Sequence, residues 1–290
     1  MAENKDIDAF SGIKTTGHEW DGIKELDNPL PNWWRWIFYA CVVWSVGYWV
    51  AYPAWPLISS HTKGVLGYSS RAEVATEIAT ARQAQAGFRA KLEGASLEQI
   101  RTQPDLLEFA LAGGRSAFNV NCSQCHGSGA QGFAGYPNLN DDEWLWGGSL
   151  VDIQKTIAHG ARNTDDDDAR TSDMPAFGRD EILTEAQISE VTEYVLKLSG
   201  QGHDAPKAER GAALYNDQCV ACHGKDGSGD SSLGAPALNN AIWLYGGDRQ
   251  TINETISNSR RGVMPAWGKI LDPVTVKSLA VYVHSLGGGR

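Results

Sequence analysis

Cys122-Ser123-Gln124-Cys125-His126 and Cys219-Val220-Ala221-Cys222-His223 are two copies of one pentapeptide, Cys-x-x-Cys-His. The pattern is that of covalent attachment of a c-type haem. Two thiols add to the haem vinyl groups, and the adjacent imidazole takes one axial position on the iron. Two copies therefore imply two haem c groups, one on Cys122 and Cys125, the other on Cys219 and Cys222, with His126 and His223 as axial ligands. A zinc pair or redox dithiol is the competing reading, but the motif occurs in two separate copies, each with its own downstream Met-Pro and no second cysteine pair within its copy to complete a four-ligand site. The function this implies is one-electron transfer.

The methionines extend the pattern. Besides Met1 the chain has only Met174, in Met174-Pro-Ala-Phe-Gly178, and Met264, in Met264-Pro-Ala-Trp-Gly268. A thioether opposite an imidazole is a standard ligand pair for haem c and raises its potential. Sequence order pairs His126 with Met174 and His223 with Met264, since one Met-Pro follows each haem motif. Four other histidines, His61, His159, His203 and His284, are rival ligands. His159 has Asn258 at its place in the second copy, so it would serve one haem only. With both axial positions filled, neither iron offers an open site for oxygen chemistry.

The likeness between the copies reaches beyond the ligands. Gly114 and Gly211 stand eight positions before Cys122 and Cys219, and Phe118 and Tyr215 stand four before. Gly135-Tyr-Pro137-Asn-Leu139-Asn140 matches Gly234-Ala-Pro236-Ala-Leu238-Asn239, and Trp144-Leu-Trp-Gly147-Gly148 matches Trp243-Leu-Tyr-Gly246-Gly247. Pro137 and Pro236 sit where a carbonyl could accept the imidazole Nδ1–H, which sets ring orientation and basicity. Each copy closes with an amphipathic helix. Thr184 with Gln187 caps the first, and Asp272 with Pro273 opens the second. The ligand spacing differs, 48 positions from His126 to Met174 against 41 from His223 to Met264. The excess falls near Ala161–Ser172, which holds Asp165-Asp-Asp-Asp168. That run reads as a solvated loop, with partner docking or a cation site as the sharper alternatives.

The second strong signal is apolar. No charged residue occurs from Trp36 to Ile58. About 20 apolar residues span a bilayer, and Trp33, Trp34, Trp36, Trp49 and Trp55 lie toward the ends, where interfacial rings belong. Pro29 and Pro31 stop any helix before it. A cleaved signal peptide fits poorly, because about 30 polar residues come first. Cys41, the one cysteine outside the haem motifs, reads as a small apolar filler. Between membrane and haems, 71–92 reads as a helix stopped at Gly94. A capping box at Ser96 and Gln99 and a helix start at Pro104 follow. The formal net charge of −10 argues against nucleic acid and permits a basic soluble partner.

The fold class is mainly α, with one N-terminal transmembrane helix and two tandem class I cytochrome c domains. The divisions fall at 1–31 (cytoplasmic segment), 32–58 (membrane helix), 59–104 (helical connector), 105–200 and 207–290 (cytochrome c domains). Haem c is attached on the outer side of the bacterial inner membrane, which places the haem domains in the periplasm and the N-terminus in the cytoplasm.

The N-terminal stretch His18-x-Trp20-Asp21-Gly22-Ile23-x-Glu25-Leu26-Asp27-Asn28-Pro29-Leu30-Pro31-x-Trp33-Trp34, the membrane helix and the two haem motifs together resemble the dihaem subunit of cbb3-type cytochrome c oxidases. The resemblance covers nearly the whole chain. It implies an electron-transfer subunit, not itself catalytic. Electrons from a donor cytochrome c would pass through the two haems to a monohaem subunit, and on to the oxygen-reducing, proton-pumping catalytic subunit. A free-standing, membrane-anchored dihaem shuttle would use the same haem chemistry, and only the N-terminal stretch and helix argue against it.

Overall fold

The computed structural model describes residues 6–288, which divide into two compact units, up to Ala84 and from Gln85 onward. In the first unit a two-stranded antiparallel hairpin pairs β1 (Thr15–Trp20) with β2 (Ile23–Leu26). Its turn is Asp21-Gly22, both residues with positive φ (50° and 84°). An Asp-Gly pair is the preferred chemistry for a two-residue hairpin loop, a signal the sequence analysis passed over.

Helix α1 (Asn32–Ala51) follows, with no buried residue along its length. Cys41 is exposed on it. The membrane helix expected over 32–58 is thus shorter, because Pro53 and Pro56 cannot continue a helix. No helix among the described residues is long and apolar enough to cross a membrane. Arg35 in the first turn and the many Trp and Tyr rings dilute the Val, Ile, Phe and Ala of α1.

Helix α2 (Ser70–Gly94) leads to α3 (Leu97–Thr102), where the Ser96–Gln99 capping box forms as expected. The ammonium of Lys277 donates to the carbonyls of Leu92, Glu93 and Ala95 at 3.1, 2.7 and 2.8 Å. Those acceptors at the end of α2 would otherwise lack a partner.

From Pro104 onward the regular elements are all helices, joined by long loops. Pro104 opens α4 (Pro104–Asn121), which runs into the one-turn α5 (Ser123–His126). Then come α6 (Leu150–His159), α7 (Glu185–Leu198), α8 (Ala205–Gln218), the one-turn α9 (Val220–His223), α10 (Arg249–Asn258) and α11 (Pro273–His284). The caps read from the sequence are in place. Thr184 and Gln187 form a capping box on α7, and Asp272 caps α11 with Pro273 at its first position.

The two lobes are not the two sequence repeats. Helix α11, which closes the second repeat, packs on α4, the first helix of the first repeat. Helix α7, which closes the first repeat, packs instead on α8. One core joins Leu106, Ala110 and Phe118 to Leu279, Ala280 and Val283; the other joins Ile188, Val191 and Val195 to Tyr215 and Ile252. The second lobe is thus built from roughly 173–259 and is inserted into the first, which resumes near Gly262. This departs from the contiguous division at 105–200 and 207–290. Only Ser199 to Asp204 separate α7 from α8. So short a connection folds the two helices back on each other at little cost in loop-closure entropy. Once α7 is taken by α8, the exposed face of α4 is left for α11.

Both crossings use a glycine. A Cβ on Gly114 would lie 2.3 Å from the Ser278 carbonyl oxygen, and one on Gly211 2.0 Å from that of Glu190. Phe118 packs on Tyr282 and Tyr215 on Tyr194, with ring centroids 5.6 and 5.0 Å apart. The repeated Gly and aromatic positions are therefore the contact points of helices that approach at backbone distance.

Candidate functional site

Each haem motif opens on a large apolar cavity. The first, about 1470 Å³ counted out to its mouth, is lined by Cys122, Cys125, His126, Pro137, Trp144 and, from the far end of the chain, Met264. The second, about 1450 Å³, is lined by Cys219, Cys222, His223, Pro236, Trp243 and Met174. The methionines are therefore exchanged relative to sequence order. His126 shares its cavity with Met264, and His223 with Met174. The pairing of His126 with Met174 and of His223 with Met264 is corrected by this packing. Its physical reason is the helix exchange, because each Met-Pro segment leads into the closing helix that has crossed over.

The imidazoles are held as the sequence indicated. His126 Nδ1 lies 2.9 Å from the Pro137 carbonyl oxygen, and His223 Nδ1 lies 2.9 Å from that of Pro236. A carbonyl only accepts, so Nδ1 carries the proton and Nε2 keeps its lone pair. Burial lowers the pKa of both imidazoles, against a smaller raising effect of the proline carbonyls, and favours the neutral, ligating form. Burial, with a smaller push from the neighbouring cysteine of each motif, raises the Cys122 and Cys219 thiols to about 11.

The Met segments are pinned by backbone. Met264 N–H donates to the Ala161 carbonyl at 2.9 Å, and Ala161 N–H returns a bond to the Met264 carbonyl at 3.1 Å. In the second lobe the Ser259 hydroxyl donates to the Met174 carbonyl. Phe177 and Gly178 donate to Ile256 and Ser257 at 3.1 and 3.0 Å. Gly160 has φ +74°, and a Cβ there would lie 2.2 Å from the Met264 carbonyl oxygen. The indoles of Trp144 and Trp243 lie over Gly148 and Gly247, where a Cβ would come within 2.7 and 2.5 Å of the rings.

The rival histidines lie elsewhere. His159 pairs with Asp166 at 3.2 Å, and His203 Nδ1 contacts the Gln201 carbonyl oxygen at 2.9 Å. Neither they nor His61 and His284 line either cavity. Asp166 is not solvated as the acidic run suggested, since its side chain is 11 % exposed beneath His159.

The donor set of each cavity fits a covalently held haem: two thiols in the attachment spacing, a neutral imidazole with Nε2 bare, a thioether in the same cavity and apolar walls. What the sequence analysis missed is the wall between the cavities. Leu145, Arg162 and Leu244 line both. Trp146 packs on Gly234 and Tyr245 on Gly135, where added Cβ atoms would lie 2.4 and 3.1 Å from the rings. The Gly135 N–H donates to the Leu244 carbonyl at 2.8 Å. The internal repeat held a signal, for Arg162 and Arg261 lie three positions beyond the matched His159 and Asn258.

Three family descriptions match the chain in succession: the N-terminal domain of cytochrome oxidase-cbb3, FixP, over 12–59; cytochrome c over 111–199; and cytochrome c oxidase, cbb3-type, subunit III, over 206–283. The cbb3-type cytochrome c oxidase subunit CcoP of Azospirillum brasilense is 54 % identical over 99 % of both chains. That of Cereibacter sphaeroides is 54 % identical over 95 % of both. The FixP subunit of Azorhizobium caulinodans is 53 % identical over 98 % of this chain and 96 % of its own. The chain belongs to the CcoP/FixP family of cbb3-type cytochrome c oxidase subunits. Its two cytochrome c domains imply two covalently bound haem c groups. In this CcoP/FixP chain the two cytochrome c matches follow the repeats in sequence, while the lobes in space exchange their closing helices.

Proposed function

We propose that the chain is the electron-transfer subunit of a cbb3-type oxidase and holds its haems by exchanged ligands. Cys122 and Cys125 would carry the first haem, held by His126 and Met264. Cys219 and Cys222 would carry the second, held by His223 and Met174. The observation that carries this is the company each bare Nε2 keeps, an attachment pair of thiols and a methionine from the other repeat in one apolar cavity. Bound haem c supplies the one-electron couple for passage from a donor cytochrome c toward the monohaem and catalytic subunits. The chain's own residues hold that couple rigid. The proline carbonyls fix the rings, the Met segments are tied to Ala161 just past α6 and to the end of α10, and the apolar walls exclude water, so little reorganises when charge changes.

The chain itself carries no oxygen chemistry on this reading, since both axial positions are filled. Helix α1 anchors it in the bacterial inner membrane, with the N-terminus cytoplasmic and the lobes periplasmic. Twenty residues at 1.5 Å each give about 30 Å, and its uncovered apolar surface suits partner helices and lipid together. The family match over 12–59 favours an oxidase subunit over a free-standing shuttle.

The test is purification from native membranes in mild detergent, with haem spectra and oxygen uptake driven by reduced cytochrome c. Co-purified b-type haem with cyanide-sensitive uptake is expected. A preparation holding c-type haem alone, without uptake, would sink the oxidase reading.

A further inference from the structure

Arg162 stands in the wall that the two cavities share, together with Leu145 and Leu244. Its Nε donates to the Gly262 carbonyl at 2.7 Å and its Nη1 to the Ser172 carbonyl at 3.4 Å. It lies over the face of Trp146 at 6.0 Å, with Arg170 against the same ring at 5.9 Å. These partners are neutral, and among the described residues no carboxylate forms an ion pair with Arg162. Asp173, which also faces it, pairs with Arg261. The backbone of Arg162 has φ 52°, a region that favours glycine. A long cationic side chain is thus held by its fork in a strained position.

The charge around the two cavities is unequal. Among the described residues, Arg162 is the only Lys or Arg lining the first, where Glu143 is the only acid. The second has Arg260 and Arg261 in addition, with Asp173. A positive charge in an apolar wall disfavours the oxidised, more positive form of a nearby haem, and low dielectric carries its influence to both sides.

We propose that Arg162 is a shared electrostatic residue, which raises the reduction potential of both haems. This rests on the haem assignment above. An electron on either haem then meets the field of the same guanidinium.

The test is a spectroscopic redox titration of the purified full-length subunit in its complex, as wild type, Arg162→Gln and Arg162→Lys. The haems are told apart by Met264→His, which lowers only the first. In Arg162→Gln the reduced-to-oxidised ratio of the first haem at a fixed potential is expected to fall about tenfold, a shift of about 59 mV for one electron. The second haem should move in the same direction. Arg162→Lys keeps the charge but loses the fork, and both potentials should stay within about threefold of wild type. Unchanged potentials in Arg162→Gln, or a fall in Arg162→Lys as large as that in Arg162→Gln, would overturn the proposal. Should Arg162→Gln fail to retain haem, Arg162→Met, which also removes the charge but keeps an apolar stem, is titrated in its place by the same criterion. A wild-type chain whose mass shows fewer than two haem adducts would overturn the haem assignment, and this inference with it. Two adducts with unmoved potentials would overturn this inference only.

Discussion

Ala161 and Met264, more than a hundred positions apart, donate to each other's carbonyls at 3.1 and 2.9 Å. The pair fastens a methionine from the second repeat to the segment just past α6, in the wall of the first cavity. It makes the placement of Met264 in the first cavity a matter of backbone hydrogen bonding, which side-chain substitution alone does not undo.

The exchange is testable by removing one haem. With Cys122 and Cys125 replaced by Ala, the chain keeps only the haem on Cys219 and Cys222. Met174→His in that background is expected to abolish the remaining methionine-to-iron absorption band and lower its potential, while Met264→His leaves both unchanged. The opposite result would restore the sequence-order pairing.

Gly160→Ala should act on one haem. The new Cβ meets the Met264 carbonyl oxygen at 2.2 Å, and neither backbone can yield without breaking the pair with Ala161. Loss or weakening of methionine ligation at the first haem, with the second unaltered, is the expected near-infrared and magnetic circular dichroism result.

The helix crossings set stability. Gly114→Ala and Gly211→Ala each push a methyl group against a facing backbone carbonyl. Overpacking of this kind costs about 2 kcal/mol, or about 4–8 °C in Tm for a unit of this size. Scanning calorimetry on the holo-subunit measures it. A Tm unchanged in both variants would mean that the helices are not in backbone contact.

Glu193 gives the second lobe an acid limit. Its buried carboxylate accepts from Arg249 Nε at 2.6 Å and from the Asp204 N–H at 2.7 Å, tying α7 to α10 and to the start of α8. The Arg249 bond, opposed by burial, holds its pKa below the ordinary value. The unfolded chain therefore takes up this proton first. The contribution is complete above about pH 4.3 and is lost as pH falls through the lower folded value. Glu193→Gln should cost about 1–3 kcal/mol at pH 7 and flatten the fall of Tm below pH 4.3. An equal fall in wild type and variant would assign the acid limit to other groups.

Lys277→Met removes the ammonium that satisfies three carbonyls at the end of α2 while keeping much of the apolar stem. Faster amide hydrogen exchange is expected over 88–95, with little change in α4 or α11 protection. Uniform loss of protection would instead show global destabilisation.

The sequence by itself determined the two haem c groups, the two Cys-x-x-Cys-His motifs, the proline carbonyls behind their imidazoles, and the caps of α3, α7 and α11. Each is written in a few neighbouring residues, and covalent spacing or one helical turn leaves little freedom. It also carried the family. The turn at Asp21-Gly22 was equally local and was passed over.

Which methionine faces which haem was decided only by tertiary structure. The two repeats offer nearly the same Gly and aromatic contacts to either closing helix, so local pattern cannot choose between α7 and α11 as the partner of α4. The choice falls to chain connectivity. A six-residue link folds α7 onto α8, α11 returns to α4, and each Met-Pro segment is carried across with its helix. The same crossing brings Arg162 into the wall between the cavities, where its charge reaches two sites that the sequence keeps apart.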